Sequence, residues 1–171
     1  QVASIYASAP GAYLADFLTS QTLGLGLYLA TRRWQVLLWM ALHLLLTLRR
    51  AYRAYQRSPD AAEHSEYWAN VNARNVLIRS CVWGLGPWLC LPEGAQHMEL
   101  WTLTIVMMMG ECAGGALSVA FLERCIPRFI VPSMTGLATA LAWHGDRPHL
   151  FLAAGCLLYM GVTIVFARRL N

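Results

Sequence analysis

Four residues able to do chemistry lie inside long apolar stretches: Asp16, His43, Glu111 and Cys112. An unpaired charge in hydrocarbon is expensive, so each acid there must be neutral, paired or turned to a polar cavity. Glu111 falls near the middle of the fourth apolar stretch. It reads as a ligand or proton site, or as a neutral glutamic acid in an interhelical hydrogen bond. Asp16 lies closer to the end of its stretch and is expected to reach water. His43 reads first as a buried, hydrogen-bonded histidine. With Met108 and Cys112 it also makes a donor set for a soft metal or haem. No HxxxH, CxxC or MxxM pair lies within one stretch, so such ligands would have to converge from different helices. No metal or other cofactor is therefore predicted. His97, His144 and His149 fall near one face, where they read as solvated loop histidines or as a pH- or metal-sensing group.

No catalytic residues are predicted, because GxSxG, P-loop, HExxH and dinucleotide-binding glycine patterns are all missing from the sequence. A different pattern surrounds Glu111. Gly110, Gly114 and Ser118 are spaced by four, which lines small residues along one helix face. In lipid such a stripe lets two backbones approach closely. The partner helix belongs either to the same chain or to a second copy.

The elements that must position these residues follow from composition. Of 171 residues, 57% are hydrophobic and 13% charged. Soluble domains are typically about 25% charged. That argues against a soluble enzyme, a disordered tail or a nucleic-acid partner, and for an all-α polytopic membrane domain in a lipid bilayer. At about 20 residues per crossing the length accommodates six transmembrane helices. Their expected spans are 12–30, 34–51, 75–91, 98–122, 126–143 and 149–166, forming one domain. Pro10 and Gly11 should sit just before the first. Ser58-Pro59-Asp60 should restart the chain, Ser58 serving as cap, into a short polar helix or loop over about 59–72. Arg79 is expected to snorkel from one turn inside the third span. The five cysteines are scattered singly and read as free thiols.

All thirteen basic residues are arginines. Six lie between Arg49 and Arg79 against three acids, and Arg124, Arg128, Arg168 and Arg169 mark two further basic connections. Glu93 and Glu99 lie unopposed between spans three and four. Positive-inside topology then places both termini in the cytoplasm. Arg32 and Arg33 are the exception, on an outer loop.

The order of features resembles the six-helix membrane input regions of bacterial GGDEF diguanylate cyclases and hybrid histidine kinases. The likeness rests on Leu48-Arg49-Arg50-Ala51-Tyr52-Arg53, on Tyr67-Trp68 with Arg74, and on Val82-Trp83-Gly84-Leu85. It extends to the 110–116 small-residue stripe, Ile126-Pro127, Val131-Pro132 and the exit Ala167-Arg168-Arg169-Leu170-Asn171. Glu111 departs from the family's usually apolar stripe. The resemblance implies a multi-pass protein of the bacterial inner membrane, normally a homodimer. It would sense an unknown small-molecule or membrane signal and relay it through the last helix, with Arg168 and Arg169 as the exit. A cytoplasmic cyclase or kinase output domain is expected after Asn171. The sequence also leaves open a small transporter or channel using Asp16, His43 and Glu111, and a metal or redox protein.

Overall fold

The computed structural model describes residues 2–55, 65–92, 97–118 and 125–169. Among them every regular element is a helix: α1 (Val2–Thr31), α2 (Trp34–Tyr55), α3 (Ser65–Cys90), α4 (Met98–Ser118), α5 (Cys125–His144) and α6 (Arg147–Arg169). The all-α expectation of six helices holds. Several boundaries differ. α1 runs through Pro10 and Gly11 rather than starting after them. α3 begins at Ser65, so the described part of the polar stretch, 65–72, is continuous with the third span. The restart at Ser58-Pro59-Asp60 and the end of span four, 119–122, lie outside the described residues.

Two short connections are set by local chemistry. Between α1 and α2, Arg32 takes φ 55° and its N–H donates to the Tyr28 carbonyl at 2.8 Å. Arg33 then reaches across to donate from Nη1 to the Leu91 carbonyl at 2.7 Å. This ties the turn to the end of α3. Between α5 and α6, Gly145 sits at φ 71°, the left-handed conformation that ends a helix without Cβ strain. Asp146 follows as the cap of α6, its carboxylate accepting from the His149 N–H at 2.9 Å. The two elements therefore fold back as a hairpin.

α3 and α5 form the most extensive pairing, with α6 on α5, and α1 and α2 on the other side. The closest approach is glycine on glycine. A Cβ on Gly84 would collide with the Pro132 carbonyl, and one on Gly136 with the backbone of Gly84. Pro132 lies inside α5. One turn away the Ser80 hydroxyl donates to the Phe129 carbonyl and accepts from the Ser133 N–H at 3.2 Å. A side chain from α3 thus enters the α5 ladder where proline disturbs it.

The bundle buries several polar side chains within an apolar core and leaves large apolar side chains exposed. Asp16, His43, Arg79, Ser80, Ser133 and His149 are buried. Leu158, Trp143 and Phe151 are 69%, 76% and 80% exposed. Among the described residues two helices, α5 and α6, are long and apolar enough to cross a membrane.

Candidate functional site: a buried ion cluster

Three helices each contribute one ionisable side chain to a single point. α3 supplies Arg79, whose side chain is 8% exposed. Its Nη2 lies 2.6 Å from Asp16 Oδ1 of α1 and also contacts Glu111 Oε1 of α4. Both carboxyl groups thus share one guanidinium nitrogen. Trp83, one helical turn beyond Arg79 on the same face of α3, donates from Nε1 to Asp16 Oδ1 at 3.1 Å. The Arg79 guanidinium carbon stands 4.8 Å from the centre of the Phe129 ring of α5, a cation–π distance.

An aromatic box adjoins the cluster. His43 meets Trp39 and Trp83 edge-on, with centroids 4.6 and 4.9 Å away. Trp39 and Trp83 meet at 5.3 Å. Trp39 is held by donating from Nε1 to the Val82 carbonyl at 2.8 Å. His43 Nε2 finds no hydrogen-bond partner among the described residues. The expected hydrogen bond of a satisfied core histidine is therefore missing at that nitrogen.

Two expectations are corrected here. Asp16 does not reach water: it is 3% exposed and paired. Arg79 does not snorkel, because the buried Asp16 and half-buried Glu111 carboxyl groups offer it a better partner than a distant interface. It also leaves the tally of cytoplasmic-loop charges. Sequence reasoning passed over Arg79 and Trp83 as site residues. The available signal was an arginine within an apolar stretch of a chain that buries two acids elsewhere.

The remaining candidates lie apart from this point or at its edge. Cys112 is buried on α4. Met108 is buried against the same void as Trp39 and Trp83, a cavity of only about 10 Å³. Among the described residues no three His, Cys, Asp or Glu side chains gather as metal ligands. All five cysteines are free. Gly110 and Gly114 are exposed, with nothing within 4 Å of a Cβ added at either. Among the described residues, Gly110 and Gly114 therefore pack against no other helix. Gly115, turned to the opposite side, packs against Phe129 instead. The Ser118 side chain lies outside the described residues. Arg168 and Arg169 are exposed in the last turn of α6.

His149 is not a solvated loop residue. Its side chain is fully buried, stacked on His144 at 4.8 Å and edge-on to Trp101. Its Nδ1 lies 2.6 Å from Asp146 Oδ1. The His149 backbone N–H and then its ring hold the Asp146 carboxyl below the usual carboxylate range.

The ion cluster is suited to joining α1, α3 and α4, and to holding or exchanging a proton. It offers no activated nucleophile. No protein-family model, curated protein or solved structure matches this chain.

Proposed function

We propose that this chain is a six-span sensory input module of a bacterial inner-membrane signalling protein. Both termini face the cytoplasm, and α6 passes a change in helix packing to a diguanylate cyclase or, alternatively, a histidine kinase. The observation that carries the reading is the Asp16–Arg79–Glu111 cluster. It is one ionic latch across three helices, inside a bundle that leaves many large apolar side chains exposed. A signal can shift packing only by binding two arrangements unequally. A latch whose loss frees two helices from a third supplies such a pair of arrangements. α6 is the natural lever, since it ends in Arg168 and Arg169 and keeps Leu158, Val162, Val165 and Phe166 exposed. The outward faces of α6 and of Gly110 and Gly114 suit a second copy of the chain.

The test is output. In the full-length protein, Arg79→Ala should change cyclic di-GMP formation, or kinase activity, severalfold while membrane targeting persists. Deleting residues 1–171 should remove regulation without removing catalysis. Equal, signal-independent output from wild type, Arg79→Ala and the deletion would overturn the reading.

A small ion or proton transporter is favoured by the same buried acids. Flux into proteoliposomes that disappears in Glu111→Gln supports it; equal flux in wild type and variant counts against it.

A further inference from the structure

Asp16 Oδ1 and Glu111 Oε1 contact the same nitrogen of Arg79. Both carboxyl oxygens sit on that one nitrogen, so the two groups are held side by side. An ionised carboxylate only accepts hydrogen bonds, so two of them held together repel unless a proton lies between them. Two carboxylates that share one buried site do not both ionise freely. We propose that Asp16 and Glu111 form one proton-binding site, a carboxyl–carboxylate pair clamped by Arg79.

Charged and titratable groups around the pair are few. α3 presents Arg79 alone. α2 presents His43 and, with a weaker field at Glu111 than that of Arg79, Arg50. α4 adds the Cys112 thiol beside Glu111. α5 offers the uncharged Phe129 and Ser133. A second observation also points to a proton. His43 is 1% exposed and packs on the tryptophan that bonds Asp16, yet its Nε2 has no partner among the described residues. The cluster thus has an unused buried imidazole nitrogen next to a proton-holding pair. Losing the shared proton puts a second full negative charge on the α1–α4 contact, so the latch weakens when the proton leaves.

The proposal uses the same cluster as the signalling reading but does not need signalling to be right. Its test is infrared spectroscopy of the full chain in detergent micelles. Wild type should show one protonated-carboxyl C=O band, lost in Asp16→Asn and in Glu111→Gln alike. Raising the pH should remove that band in a single-proton step, with a parallel shift in tryptophan emission from Trp83. Carbon-13 carboxyl labelling of aspartate or glutamate in the unsubstituted protein should move the band, which assigns it even where a variant folds poorly. The proposal is overturned if the band is absent at every pH where circular dichroism shows intact helices. Persistence of the band in either folded variant overturns it too, as does a band that neither label moves. A sodium-dependent melting temperature without a band would replace the proton by a bound cation. None of these outcomes alters cyclase or kinase output, so the signalling reading stands or falls separately.

Discussion

Arg79 is the residue on which most of the buried polar chemistry converges. Removing one partner of a buried ion pair leaves an uncompensated charge, which typically costs about 3–5 kcal/mol. Arg79→Ala should therefore destabilise the bundle by about that amount, read as a loss of melting temperature in detergent. Glu111→Gln should cost far less, because Asp16 still neutralises Arg79 at 2.6 Å. The reverse order of these two variants would contradict the assigned geometry. At the other end of the molecule, Asp146 caps α6 and bonds the His149 ring. Its carboxyl is held below its ordinary value when folded. Such a group stabilises the fold above its unfolded pKa, and that contribution is lost as pH falls through the folded pKa. The acid limb of a melting-temperature profile should therefore carry a component that Asp146→Asn removes. An unchanged acid limb in the variant would exclude it.

Among the elements, α3 and α5 set the framework. Gly84 and Gly136 meet backbone to backbone, with no flexible side chain to yield. Gly84→Ala or Gly136→Ala should cost about 1–3 kcal/mol through overpacking. Gly110→Ala and Gly114→Ala meet open space and should leave the melting temperature of the single chain unchanged. If that face joins two copies, those same variants lower the dimer fraction in cross-linking while the fold persists. Comparing the four glycine variants separates packing within the chain from packing between chains. The sequence pointed to the α4 stripe because its four-residue spacing is visible along one helix. The Gly84–Gly136 contact joins residues far apart in the chain, and no local spacing announces it.

For the molecule as a whole, α5 and α6 are the two described helices long and apolar enough to cross a membrane, so the membrane setting is tested on them. Leu158, at the midpoint of α6, is 69% exposed. A charge at the centre of a spanning helix costs about 2.5–3.5 kcal/mol on insertion scales. Leu158→Arg should reduce insertion of α6 and recovery of protein in the membrane fraction. Trp143, on the exposed end of α5, should be quenched by lipids brominated at shallow depth. Full recovery of Leu158→Arg in membranes would argue that α6 does not cross.

The sequence by itself determined the helical class, six helices and the free thiols. Those properties are local: apolar run length and isolated cysteines. It also picked out Asp16, His43 and Glu111 as residues whose burial would need an explanation. It did not pair them or find Arg79 as their hub. Only the tertiary structure decided which glycines touch, which way the α4 stripe turns and which charge meets which. α1 and α3 spread polar and apolar residues around the helix with no single apolar face, so their sequences leave rotation about the helix axis undefined. That rotation is chosen by distant partners: two acids on α1 and α4 that only one buried guanidinium satisfies, and a glycine on α5 that fits only against a glycine on α3.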